Sequence, residues 1–235
     1  MKQLSICLLL VTAVVHAIAV GNEKLKPQLE LQEIQQLVGQ WKGVGQLKRG
    51  STQGGWIEES VWEWKFGKQS ALVYKSPRGK FVKELKVSFE NDMYIARGIN
   101  AAGDKIELAG KCDDSGKLVL VNAENRMPSR ISFRTVASGK RMVVSYERRI
   151  SEALYTRLGE VGATRKGSMF GKGVQEVVCI VSGGKGTMPV TFDGKTYYVC
   201  CTGCRDYFNE NAAEIVAEYA SKKNRNSASK LSRQD

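Results

Sequence analysis

The chain has 235 residues, of which 42% are hydrophobic and 26% are charged, a composition that excludes a wholly disordered or fibrous protein. The net charge of +12 comes from Lys and Arg spread along the sequence and interleaved with acidic residues. This pattern is typical of a solvated surface and argues against a nucleic-acid partner.

The first segment predicts export. Lys2 is followed by the apolar run Leu4 to Val15 and then by Ala17-Ile18-Ala19, which are the three parts of a secretory signal peptide. The apolar run is shorter than the ~20 residues that span a bilayer, although an uncleaved anchor is the alternative. We therefore predict a signal peptide over residues 1–19, cleaved after Ala19. The mature protein is expected to be secreted or periplasmic, without stable insertion in a membrane.

Cleavage at this site removes His16, the single histidine, together with Cys7. A mature chain without histidine cannot use serine–histidine or cysteine–histidine catalysis, and it has no histidine to ligate haem or zinc. The prediction is a binding protein rather than an enzyme, with no haem. Five cysteines remain, an odd number that rules out complete internal disulfide pairing: Cys112, Cys179, Cys200, Cys201 and Cys204.

After a polar lead-in over residues 20–36, the hydrophobic period becomes two. Trp56, Trp62, Trp64 and Phe66 share one face of the first long run, as expected for a strand with one buried face. Short turns separate the later runs, which favours antiparallel neighbours. Eight to ten such strands indicate a sandwich or an up-and-down barrel, and a barrel leaves no exposed edges. The predicted fold class is therefore mainly β, with an antiparallel barrel over residues 37–167.

The barrel region opens with Gly39-Gln40-Trp41-Lys42-Gly43-Val44-Gly45. This stretch resembles the first strand of lipocalin-like barrels, and its longer glycine pattern is similar to the nitrobindin branch. The resemblance implies the fold but not the haem chemistry, because nitrobindins hold iron through a histidine. The interior either surrounds a small apolar ligand or packs solid. The residues expected to line it are Trp41, Trp62, Trp64, Phe66 and Cys112.

A glycine-rich linker over residues 168–173 leads to a second unit over residues 174–222. Asp193-Gly194 lies between two strand-like runs and predicts a tight hairpin. Beyond Cys204 the period becomes helical, and residues 223–235 are predicted to form a basic disordered tail. The expected apolar face of the helix comprises Phe208, Ala212, Ile215, Val216 and Tyr219.

Four cysteines of this unit fall at the end of the hairpin and the start of the helix: Cys179, Cys200, Cys201 and Cys204. A helix N-terminus stabilises thiolates, and thiolates select soft or borderline metals such as Zn²⁺ and Cu(I). A unit of about 50 residues has little core of its own, so a metal or a disulfide staple is expected.

The spacing of one cysteine, twenty residues, a second cysteine, three residues and a third resembles the YHS and TRASH metal-binding modules. It is carried by Cys179, Cys200 and Cys204, together with the lead-in Gly194-Lys195-Thr196-Tyr197-Tyr198. The resemblance implies that these three thiols bind a heavy metal in metal handling. Cys201 is then a fourth ligand or a buried neighbour. The histidine and serine that give the YHS family its name are missing.

Two alternatives stay open from the sequence. The cysteine module can be purely structural, held by a disulfide of Cys179 with one of the other three cysteines or by a zinc staple, which would leave the barrel as a carrier of an apolar ligand. Alternatively, the Cys201-Thr202-Gly203-Cys204 motif can serve as a thiol–disulfide oxidoreductase, which requires a low pKa at Cys201.

Overall fold

A computed structural model describes residues 29–167 and 177–231. The predicted signal peptide, the linker and the last four residues of the chain lie outside these ranges. The helices are α1 (Leu29–Glu33) and α2 (Thr202–Leu231), with a 3₁₀ turn at Gln35–Leu37. The strands are β1 (Gly39–Gln46), β2 (Trp56–Lys65), β3 (Ala71–Lys75), β4 (Val82–Glu90), β5 (Met93–Asn100), β6 (Lys105–Cys112), β7 (Leu118–Val121), β8 (Arg130–Val136), β9 (Arg141–Arg149), β10 (Tyr155–Arg165), β11 (Met188–Phe192) and β12 (Lys195–Val199).

Strands β1 to β10 form a closed barrel in which every strand pairs antiparallel with its sequence neighbours, and β1 closes the ring against β10. The predicted mainly β class and up-and-down barrel are confirmed. Closure pairs the strands around the ring, as expected for a chain of consecutive hairpins. Alternate residues face the interior, as in β9, where Met142, Val144 and Tyr146 are buried.

The lead-in segment packs across one end of this barrel. Leu31, Ile34 and Leu37 are buried in the same core as the strands. The Tyr94 hydroxyl of β5 donates to the Glu30 carbonyl at 2.7 Å, and the Trp41 indole of β1 donates to the Leu37 carbonyl at 2.8 Å. These contacts cover the apolar interior at the end from which the chain enters β1.

Arg165, the last residue of β10, is a buried cation at the same end, only 3% exposed. Its guanidinium donates to the backbone carbonyls of Gly139, Val38 and Gln36 and lies over the Trp41 ring, 4.2 Å from the centroid. Burial lowers the pKa of Arg165 to about 10. The Arg165 side chain thus contacts the lead-in, the start of β1 and the β8–β9 turn at once.

The second unit combines a two-stranded sheet with the long helix α2. Strands β11 and β12 form the predicted hairpin, with positive φ angles at Asp193 and Gly194, as a type I′ turn requires. Within α2, Phe208 and Ile215 are buried, and a single non-helical residue, Asn211, interrupts the helix. None of the helices in the described ranges is long and apolar enough to cross a membrane.

The end of α2 differs from the sequence prediction. The helix continues to Leu231, past the predicted start of a disordered tail at residue 223. An ion pair between Lys222 and Glu218, four residues apart with 3.0 Å between the charged atoms, supports helix at this point. Polar composition alone does not separate an exposed helical turn from a disordered segment.

The role of Arg165 can be tested by replacing it with methionine, which keeps the aliphatic stem and removes the charge. Arg165→Met leaves several buried carbonyls unpaired, so we expect the free energy of unfolding to fall by about 3 kcal/mol. Urea denaturation followed by tryptophan fluorescence measures this change. Arg134→Met, at an exposed position of β8, is the matched control and should change stability by less than ~0.5 kcal/mol. Equal effects of the two substitutions would contradict the assigned role.

Candidate metal centre

The second unit brings four cysteines together from three short segments. Cys179 lies in the loop that precedes β11, where Val178 forms an isolated bridge with Lys185. Cys200 and Cys201 follow β12 directly, and Cys204 lies in the first turn of α2. Because the hairpin delivers β12 to the start of the helix, residues distant in sequence meet at one point.

Three of these sulfurs form a compact trio. The Sγ atoms of Cys179, Cys200 and Cys204 all lie within 4.8 Å of one another, and those of Cys200 and Cys204 are 3.5 Å apart. Cys201 does not belong to this set, although its Sγ lies 3.9 Å from that of Cys200. The five cysteines of the described ranges are free thiols.

The trio is enclosed by the loop that follows Cys179. The Cys179 amide donates to the Gly184 carbonyl at 2.6 Å, and the Gly183 amide donates back to the Cys179 carbonyl at 2.9 Å. Ser182 contacts two of the sulfurs: its amide donates to Cys179 Sγ at 3.4 Å, and its hydroxyl lies 3.4 Å from Cys200 Sγ. Cys179 is 1% exposed, Cys200 3% and Cys204 0%, so solvent is excluded from the centre.

Protons are divided unequally among the thiols. The Cys200 thiol lowers the pKa of both Cys179 and Cys201, because it hydrogen-bonds to their thiolate forms. The same contacts raise the pKa of Cys200 and Cys204, primarily through Cys179, since a second thiolate would lie against the first. The cluster therefore favours thiolates at Cys179 and Cys201 and protonated thiols at Cys200 and Cys204, although all four are buried.

This donor set fits a soft or borderline cation. Zn–S bonds of about 2.3 Å in a tetrahedral arrangement place neighbouring sulfurs about 3.8 Å apart, close to the 3.5 Å between Cys200 and Cys204. The burial of all three sulfurs also removes competing water ligands. A bound cation would favour loss of the protons from Cys200 and Cys204, because it compensates the repulsion between thiolates that raises their pKa.

The tryptophans and Phe66, which the sequence assigns to the barrel interior, occupy three different places. Trp41 lies at the covered end beneath Arg165. Trp62 is fully buried, with its ring centroid 5.0 Å from that of Phe133. Trp64 stacks on Phe66, and the Phe66 ring lies 4.6 Å from the Tyr207 ring of α2. Phe66 and Tyr207 therefore form part of the contact between the barrel and the second unit.

Cys112, the remaining predicted interior residue, is half-buried at the end of β6. It lies beside Glu33 of the lead-in and Tyr94 of β5, and it does not belong to the sulfur trio. Burial raises the pKa of Cys112 to about 12, and the Glu33 carboxylate acts in the same direction.

Two buried charged residues were missed by the sequence reasoning. Glu58 is 2% exposed and accepts from the Trp56 indole at 2.8 Å and from the Tyr74 hydroxyl at 2.9 Å. Arg165, described above, lies near Cys200, whose thiolate raises the pKa of the guanidinium against the effect of burial. The period of two could have found both, since Glu58 shares a face with Trp56 and Trp62, and Arg165 shares one with Val161.

No protein-family model and no curated protein matches this sequence. Among solved structures, the chain is similar to Rv2717c from M. tuberculosis, with a TM-score of 0.41 and 15% sequence identity. The matched region covers 59% of this chain and 98% of that chain.

The environment of Cys112 predicts low thiol reactivity. With a pKa of about 12, Cys112 holds about a thousandfold less thiolate at pH 8 than a thiol with a pKa of 9, and alkylation by iodoacetamide should slow accordingly. Peptide mapping by mass spectrometry follows this residue separately from the others. The urea-unfolded chain is the control, in which Cys112 should react at an ordinary rate. Equal rates in the folded and unfolded protein would contradict the assigned environment.

Proposed function

We propose that this protein is an exported, non-enzymatic metal-binding protein that holds one soft or borderline cation, Zn²⁺ or Cu(I), through Cys179, Cys200 and Cys204. The observation that carries the proposal is the buried trio of sulfurs within 4.8 Å of one another. The cysteine spacing, which resembles that of YHS and TRASH modules, supports the same three ligands and a role in metal handling.

Charge also supports a cation at this centre. Within the trio the pKa of Cys179 is lowered, whereas the pKa of Cys200 and Cys204 is raised. A cation bound by all three sulfurs would displace the protons of those two thiols and compensate the charge of the buried thiolates. Arg165 brings positive charge near Cys200, which offsets part of the negative charge that three thiolates leave around a monovalent or divalent ion. Thiolate donors disfavour Mg²⁺ and Ca²⁺, which prefer oxygen ligands.

Metal stoichiometry tests the ligand assignment. We expect the mature protein, purified anaerobically and equilibrated with Zn²⁺ or Cu(I), to retain about one ion per chain, because three thiolates at this spacing form one site. Cys200→Ser and Cys204→Ser should each abolish stoichiometric binding, since serine stays protonated and is a poor ligand for soft metals. Elemental analysis after gel filtration gives the count.

Cys112→Ser is the matched control for these variants, because Cys112 is outside the trio; its metal content should equal that of the wild type. A wild-type protein with no metal and with Cys179 quantitatively disulfide-bonded would overturn the proposal in favour of a structural disulfide. Loss of metal in Cys112→Ser would show that the ligand set is wrong.

Export is tested by the intact mass of the secreted or periplasmic product, which should begin at Val20. Signal peptidases require a small residue before the cut, so Ala19→Arg should block cleavage and leave residues 1–19 attached in the membrane fraction. A wild-type product that retains residues 1–19 would contradict both cleavage and release.

A second candidate function is a barrel that carries a small ligand. The indole N–H groups of Trp62 and Trp64 are buried and have no hydrogen-bond partner within the described residues, and unpaired buried donors of this kind cost about 1–3 kcal/mol each. A ligand with a hydrogen-bond acceptor would satisfy them. Native mass spectrometry of the exported protein should then show a retained organic molecule, whereas a mass accounted for by chain and metal alone would exclude this function.

A further inference from the structure

Strand β2 extends past its neighbour in the barrel. The pairing of β1 with β2 runs from Gly45↔Trp56 to Gly39↔Trp62, where β1 begins, while β3 continues to pair with β2 as far as Lys65. Residues 63–65 of β2 therefore have no β1 partner on that side. The unpaired backbone N–H and C=O groups of such an overhang need another partner when they are removed from solvent.

The second unit supplies that partner at Trp64. The Trp64 amide donates to Cys201 Sγ at 3.4 Å. A Cβ added at Gly203 would lie 1.8 Å from the Trp64 carbonyl oxygen, so only glycine allows the helix start to approach this closely. Next to it, the Thr202 hydroxyl donates to the Glu63 carboxylate at 2.7 Å. The residues that begin α2 thus take the place of the missing strand.

Cys201 also caps the N-terminus of the helix to which Cys204 belongs. Its Sγ accepts the amide of Cys204 at 3.5 Å, and α2 begins at the next residue, Thr202. This is the position and the hydrogen bond of a side-chain N-cap, which serine, threonine or aspartate oxygen normally provides. One sulfur therefore accepts two backbone N–H groups, one from the barrel and one from the helix.

We propose, on the basis of the proposed metal function, that Cys201 is the positioning residue of the centre and not one of its ligands. Its sulfur joins the start of α2 to the overhang of β2, which fixes Cys204 relative to Cys200. The bound ion then has three protein sulfurs. Cu(I) is a soft ion that thiolates select, whereas four-coordinate Zn²⁺ would take its fourth donor from outside the cysteine set.

Serine and alanine at position 201 separate the two roles. A serine hydroxyl keeps the N-cap and an acceptor for the Trp64 amide, but it is a poor soft-metal ligand. We expect Cys201→Ser to bind Cu(I) or Zn²⁺ within about threefold of the wild type, and Cys201→Ala to bind about tenfold more weakly, because two backbone donors lose their acceptor. If both variants weaken binding equally, Cys201 is a ligand and the proposal is wrong.

X-ray absorption of the wild type and of Cys201→Ser, each loaded with either metal, counts the sulfurs directly. Three sulfurs are expected, unchanged in Cys201→Ser; four in the wild type and three in the variant would overturn the assignment. Hydrogen exchange at the Trp64 amide should accelerate in Cys201→Ala but not in Cys201→Ser. This readout also distinguishes the two proposals: a wild-type protein that binds no metal defeats the proposed function, while exchange at Trp64 still confirms or refutes the contact made by Cys201.

Discussion

A strand that runs past its neighbour leaves backbone N–H and C=O groups that must find partners, and leaving one buried and unpaired costs about 1–3 kcal/mol. In this protein β1 begins at Gly39, opposite Trp62, while β2 continues to Lys65. The second unit covers the overhang, with the sulfur of Cys201 against the Trp64 amide. The location of the thiol cluster therefore depends on where β1 starts, because the helix that carries Cys204 begins at that contact.

Arg165 imposes a second constraint at the same end of the barrel. Its guanidinium donates to carbonyls of the lead-in and of the β8–β9 turn, and it lies near Cys200. A buried cation is costly unless it is hydrogen-bonded on several sides. The hydrogen bonds that stabilise the Arg165 guanidinium also hold the lead-in over the barrel interior. It also contributes positive charge beside a cluster of thiolates. The same arginine therefore holds the cover of the barrel end in place and contributes to the electrostatics of the centre.

Sequence periodicity predicted the parts of the structure that depend on local pattern. Alternation around Trp62 and Trp64 identified the buried face of β2, and Asp193-Gly194 identified the hairpin that leads to Cys200. The spacing of the cysteines selected the trio that the fold brings together.

Periodicity and spacing could not predict the contacts between segments that are distant in sequence. An arginine that ends a strand and a cysteine beside two others carry no local sign of what they touch. Glu58 was missed although it shares a face with Trp56 and Trp62, because a carboxylate in a run of strand residues is usually taken to face solvent. The hydroxyl of Tyr74 and the indole of Trp56 make its burial tolerable, and neither contact can be deduced from spacing.

The adjacent pair Cys200-Cys201 shows how one short segment serves two neighbours. Strand β12 ends at Val199, and the sulfurs of the two cysteines that follow it lie 3.9 Å apart, yet each makes further contacts of its own. Cys200 Sγ lies 3.5 Å from Cys204 Sγ and 3.4 Å from the Ser182 hydroxyl, whereas Cys201 Sγ accepts from the Trp64 amide. A metal bound to Cys200 Sγ would therefore lie next to Cys201 Sγ, which already accepts two backbone N–H groups. Besides its contact with Cys200, Cys201 accepts from backbone amides of the barrel and of the helix, so two adjacent residues of the same type have different sets of neighbours.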